Sequence, residues 1–413
     1  RDFSQPSLDI PVGSGPYRIV DVKPGRSITY RLDPDYWGRD IAVNKGQYNL
    51  GTIIYDYYRD PTVSLHAFKS GEYDFRQENI SKAWATAYVG PAFDDGMVVK
   101  TEVPNDVNQG MQAFVLNTRR PFFTDARVRQ ALAYAFDFEW TNKTLFYGQY
   151  TRSTSFFSNS ELAAVGLPSP GELEILNPLK DQLPPEVFTQ VYTPPTTDGS
   201  GNIRKGLRTA LGLFKAAGWE VRNKKMTNIK TGETLAFDIL LHDSTFERII
   251  LPFKKNLARM GVDLSIRLVD TAQYINRRRD YDYDIIVTTF AQSESPGNEQ
   301  REFWSSAAAD IPGTRNYAGV RSKAVDALIE QVIAAPTRED LIIRTRALDR
   351  ALLWGHFVIP QWHINAYRVA YWNFFERPET APRYALGFNT WWVNPEKAKR
   401  VQRYRKQTSN KGS

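Results

Sequence analysis

FVLNTRRPFFTDARVRQALAYAFDFEW, residues 114–140, joins a strand to a helix through a turn, and the rest of the chain can be placed around it. Phe114 to Leu116 read as the end of a short apolar strand, Pro121 closes it, and Thr124 stands at the N-cap of a helix beginning at Asp125. Val128, Leu132, Ala135 and Phe136 recur at i, i+4, i+7 and i+8, so one apolar stripe faces a core. Arg127, Arg129 and Gln130 make the polar face. An ordinary amphipathic helix after a strand satisfies this pattern by itself.

The chain has 413 residues, 42% of them hydrophobic and 24% charged, an ordinary composition for a globular protein of two or more lobes. It has no run of 18 apolar residues and no cysteine, which excludes disulfides and thiolate chemistry. The net charge is +7, and residues 397–413 alone hold seven Lys and Arg with no acid, so residues 1–396 are formally neutral. The basic balance therefore argues against a nucleic-acid partner, and the segment reads as a solvated terminus or a contact for acidic lipid or a partner.

Tyr17 to Lys23 and Ser27 to Leu32 read as a hairpin around Pro24-Gly25, and Thr52 to Tyr58 as a third strand. Asp60-Pro61 starts a helix that Gly71 ends. A strand at Met97 to Val103 leads through the polar segment Pro104 to Gly110, a first hinge, into Met111 to Leu116. Residues 156–201, with seven prolines between Pro168 and Pro195, read as surface loop. Strands then alternate with helices: Leu235 to Leu241, a helix from Phe246 to Met260, Val262 to Leu268, a helix over Ala272 to Arg279, and Asp284 to Phe290. This βαβαβ order predicts parallel strands joined by right-handed crossovers. Thr337 and Asp340 open a helix to about Trp354, and the extended run from Val358 is a second hinge.

The wording of several segments carries more than their periodicity. Asn117-Thr118, Pro121-Phe122 and Asp125 to Leu132 resemble the central signature of the family 5 extracellular solute-binding proteins, the peptide, nickel and oligosaccharide receptors of ABC importers. The resemblance extends to Gly13 to Tyr17, Asp33 to Gly38, Ala216 to Trp219, Asn256 to Val262, Tyr281 to Asp284 and Arg315 to Tyr317. Phe246 to Asp284 and Arg315 to Val320 look most like the YejA-like branch, which takes peptides and peptide-nucleotide conjugates. The resemblance implies an α/β fold of the periplasmic-binding-protein type II, bilobal with a hinge between the lobes. Residues 1–108 would form part of lobe I, 109–365 lobe II, and 366–413 the return to lobe I. It also implies a periplasmic location, a membrane ABC permease as partner, and a protein that is monomeric when complete. In the family the GSGPY-like element follows a long N-terminal portion. Its absence here implies a fragment, a separate chain or a short form.

Catalytic and metal readings fail on the residues. Gly13-Ser14-Gly15 is neither a nucleophile elbow nor a full dinucleotide fingerprint, and His66, His242, His356 and His363 form no metal-binding pair. No cofactor is expected. Ligands of open α/β sheets lie outside the carboxyl ends of the strands, so Ala291 to Trp304 and the residues after His242 are the candidates. In peptide-binding relatives the first of these segments supplies an aspartate for the ligand's amino terminus. Gln292, Ser293 and Glu294 stand there instead, which makes Glu294 the substitute. Arg248 is the loose counterpart of an arginine for a ligand carboxylate. Trp304, Asn316, Tyr317, Trp362 and His363 complete the candidate set, because their segments fall at the expected crevice or hinge. The reading is a receptor that captures a peptide or peptide-like ligand between its lobes without chemistry. An oligosaccharide receptor using the same Trp faces is the alternative within the fold. A periplasmic hydrolase is the alternative outside it.

Overall fold

In the computed structural model, which describes residues 8–409, the turn after Leu116 is tied down by an arginine from the helix that follows it. Arg129 is buried, and its guanidinium donates to the carbonyls of Phe123, Thr124, Gly355 and His356. Burial pushes its pKa down to about 10. The polar face read from periodicity is thus partly a core face, because four carbonyls replace water around that cation. Asp125, not Thr124, is the N-cap: its carboxylate accepts from the Arg127 amide at 2.8 Å. The helix covers Ala126–Ala133 and stops short of Phe136. A second helix, Phe138–Leu145, starts at its own cap, Asp137.

The chain divides into a smaller unit, Arg1–Asn105 with Ala366–Ser413, and a larger one, Asp106–Asn365. The larger unit is built on a sheet in the order Asp263–Leu268, Ala236–Leu241, Ile285–Phe290, Gln109–Leu116, Val358–Pro360, with Phe157–Ser158 paired to the start of the 109–116 strand. The 236–241 strand is parallel to 263–268 and 285–290, and the crossovers are helices Glu247–Ala258 and Thr271–Arg279. The 109–116 strand runs antiparallel through the sheet between 285–290 and 358–360. Apolar side chains cover both faces of the sheet: Phe114, Phe253 and Ile285 belong to one cluster, Met111, Ile286 and Leu348 to the other.

Residues 156–201 are not simple surface loop. Phe156, Phe157, Leu162, Leu176 and Val187 are buried in the core, and Pro170–Leu176 is a helix with a Ser169–Glu172 capping box. Two long-range links hold the segment. Arg350 pairs with Glu172 at 2.7 Å, both buried, and the Asp349 carboxylate accepts from Ser155 Oγ and the amides of Phe156 and Ala164. Neither partner is near in sequence, so local pattern could not show the packing.

In the smaller unit, strands Tyr17–Lys23, Ser27–Leu32 and Thr52–Asp56 form an antiparallel meander, and Phe75–Gln77, Ala366–Trp372 and Val98–Pro104 a second sheet. Helix Pro61–Ser70 is capped by Asp60, which accepts from Thr62 and Val63, and ends at Gly71 with φ 81°. The basic C-terminal segment is no solvated tail over its described part. Helix Pro395–Ser409 buries Val401 beside Trp372, and Arg405 pairs with Asp74 at 2.8 Å. Lys411 lies outside the described residues.

Candidate ligand-binding site

Strand direction gathers the candidates. Because 236–241, 263–268, 285–290 and 358–360 all run the same way, their carboxyl ends meet at one edge of the larger unit's sheet, joined by the start of 109–116. His242 and Asp243, Ala291 to Glu294, Gln361 to His363, and Asn108 all sit at that edge. Gly110 lets the backbones approach there: a Cβ on it would lie 2.0 Å from the Phe290 carbonyl oxygen.

Glu294 and Gln292 are both half-buried. Glu294 Oε1 accepts from the Asn108 amide at 2.7 Å, while Asn108 Nδ2 donates to the Ser293 carbonyl at 3.3 Å. Arg338 donates to the Glu294 carbonyl. Gln292 Oε1 accepts from Gln300 Nε2 at 2.7 Å, and Gln361 Oε1 from Gln112 Nε2 at 2.9 Å. Each of these amides keeps one polar atom that is enclosed and has no protein partner: Gln292 Nε2, Gln361 Nε2 and Asn108 Oδ1. Two N–H donors and one carbonyl acceptor at one sheet edge match what a peptide backbone offers and needs.

His363 is next to them, with Nδ1 3.1 Å from Ser153 Oγ, and burial depresses its pKa to about 4, so it is neutral near pH 7. Trp362 is 8% exposed and packs among Phe146, Phe246, Tyr150 and Phe136.

The remaining candidates are held differently. Trp304 is wholly buried against Phe156, Phe290 and Phe303, with its indole N–H donated to Gln300 Oε1 at 3.2 Å. Asn316 is wholly buried, donating to the Ser305 and Val320 carbonyls and accepting from the Val320 amide. The polar groups of both are engaged within the larger unit. The backbone of Tyr317 lies at the opposite sheet edge, where its carbonyl accepts from Tyr283 Oη at 2.8 Å and Thr118 bonds Ala318. Its half-buried ring reaches to 6.0 Å from Phe290. Arg248 lines a cavity of about 620 Å³ with Phe136, Trp140, Leu251 and Phe253, between the 138–145 and 247–258 helices.

Sequence reasoning missed Arg152. Its short strand, Thr151–Arg152, pairs with Trp362–His363, and its guanidinium lies 5.0 and 5.2 Å from the rings of Phe136 and Phe138. All three of its side-chain nitrogens are enclosed without a protein acceptor, and burial lowers its pKa to about 10 against the pull of Glu139 and Asp137. A single arginine in a Thr/Ser-rich run carries no signal of this. Among the described residues no group of three or more His, Asp or Glu is placed to hold a metal ion, and no helix is long and apolar enough to cross a membrane.

Residues 1–310 match the family described as bacterial extracellular solute-binding proteins, family 5. The chain belongs to this family. It is 49% identical over 395 residues to a probable peptide-binding protein YejA of Agrobacterium fabrum, an alignment covering 95% of this chain and 64% of the relative. It is 42% identical to the uncharacterized protein YejA of Escherichia coli, covering 98% and 67%. The chain thus spans about two thirds of the length of these relatives. Among solved structures it is similar to the oligopeptide-binding protein AppA of Bacillus subtilis, determined with a nonapeptide. There the TM-score is 0.67 at 17% identity, with 92% of this chain and 67% of that one covered. The fold is accordingly the α/β type II architecture of the large peptide-binding class.

Proposed function

We propose that this chain is the receptor part of an ABC importer, taking a peptide or peptide-like conjugate at the carboxyl edge of its larger unit and delivering it intact to a membrane permease. The observation that carries the reading is the trio of enclosed, unpaired amide atoms on Gln292, Gln361 and Asn108. Backbone-directed hydrogen bonds hold peptides of varied side chains, and Glu294 supplies one charge for a ligand ammonium. A periplasmic location, non-catalytic action and a monomeric state belong to the same proposal. So does a further segment, in cis or as a separate chain, over the 17–56 meander, where Ile54 and Tyr55 are 56% and 57% exposed on successive positions of one strand. The relatives' peptide-binding descriptions support the ligand class. The oligosaccharide alternative loses its stacking platform, since Trp304 is sealed in the core and Trp362 is stacked on Phe246.

Glu294→Gln tests the charge. The amide keeps an oxygen for Asn108, so unfolding should be little changed, while affinity for a peptide with a free amino terminus should fall by about 2–5 kcal/mol. Isothermal calorimetry with a bound peptide reads both enthalpy and affinity. Unchanged affinity would remove Glu294 from the site.

A further inference from the structure

We propose that helix Pro395–Ser409 presents a docking face for an anionic lipid surface. This goes beyond the receptor reading and does not rest on it. Residues 397–413 account for the whole net charge of the chain, and the helix itself carries six Lys and Arg against one Glu. One side of that helix is committed to packing. Val401 is buried, Tyr404 Oη donates to Asp95 at 3.0 Å, Lys397 pairs with Glu376 at 3.2 Å, and the Arg405 guanidinium lies 4.1 Å over the Trp372 ring.

The other side is a stripe of cations. Lys399, Arg403 and Lys406 recur at i, i+4 and i+7 and are exposed, as is Arg400. The helix contains a single acid, Glu396, whose pair with Lys399 at 2.9 Å is highly exposed on both sides and therefore weak. Long cationic side chains on a convex helix match a smeared negative plane rather than a shaped acidic pocket. Phospholipid phosphates are the proposed partner, held by charge.

The test is flotation of the full chain with vesicles of phosphatidylglycerol and phosphatidylcholine in equal parts, against vesicles of phosphatidylcholine alone. Binding should require the anionic lipid and fall steeply with salt. The triple variant Lys399→Gln, Arg403→Gln, Lys406→Gln should bind about 100-fold more weakly, with an unchanged unfolding midpoint. The charge-keeping pair Lys399→Arg, Lys406→Arg should bind like the parent. Equal binding to both vesicles, or an unaffected triple variant, would overturn the proposal. So would retention on an immobilised polyglutamate without vesicle binding, which would assign the stripe to an acidic protein instead.

Discussion

Asp349→Ala is expected to destabilise the larger unit by about 3–5 kcal/mol, read as a drop in the urea midpoint with little change in slope. The carboxylate is wholly buried on helix Arg338–Trp354 and is the acceptor for three donors on one loop: Ser155 Oγ at 2.6 Å, the Phe156 amide at 2.8 Å and the Ala164 amide at 2.9 Å. Alanine leaves all three without an acceptor in a site that water does not reach. Asn returns one oxygen but sets an NH₂ against the remaining donors, so Asp349→Asn should lie between the parent and alanine. The pH dependence separates charge from shape. Burial raises the Asp349 pKa to about 6, against the three hydrogen bonds and Arg350, which pull it down. A carboxyl whose folded pKa lies above its unfolded value contributes stability that is fully present below about pH 4 and is lost as pH rises through about 6. The parent should therefore lose stability relative to Asp349→Asn across that window. A pH-independent difference between the two would show that the group does not titrate there.

Gly110→Ala should do its damage at the candidate site. The new Cβ would lie 2.0 Å from the Phe290 oxygen and 2.9 Å from the Ala291 Cα, all backbone, so no side chain can swing away to make room. The 109–116 and 285–290 strands must separate where Met111 pairs with Phe290, which displaces Asn108 on one side and Gln292 and Glu294 on the other. A cost of about 2–4 kcal/mol in stability is expected from overpacking a backbone contact. Affinity for peptide should fall at least as much as in Glu294→Gln, because three polar groups move together. Calorimetry on the variant, at a temperature where circular dichroism shows it folded, checks this. Parental affinity would mean that the carboxyl edge is not where the ligand sits.

What could be read from the sequence is what local rules govern. The 61–70 helix declares itself by Asp60 ahead of Pro61 and by Gly71 after it. The 236–290 strands and helices do so by switching between two-residue and helical periods. The segment after Phe290 followed from strand direction, since it falls at a carboxyl edge, whereas Gln292 and Glu294 were singled out within it only by the family resemblance. Long-range contacts stayed hidden. Arg129 looked solvent-facing because the carbonyls that satisfy it at 355 and 356 are more than two hundred residues away. Residues 156–201 looked unstructured because their anchors, Asp349 and Arg350, lie on a distant helix. Trp304 and Asn316 were placed near a crevice by segment position, and their polar atoms are engaged by partners close in sequence, Gln300, Ser305 and Val320. The basic terminus looked free because the partners of its helix, Asp74 and Trp372, come from two separate parts of the chain.

The central claim, that this chain captures peptides without altering them, is tested most directly by incubating it with a defined peptide mixture, removing the unbound fraction and recording the mass spectrum of what denaturation releases. One or a few peptides of unchanged mass, enriched over the mixture, are predicted. Release of shortened fragments, or no peptide retained at any concentration, would contradict the account.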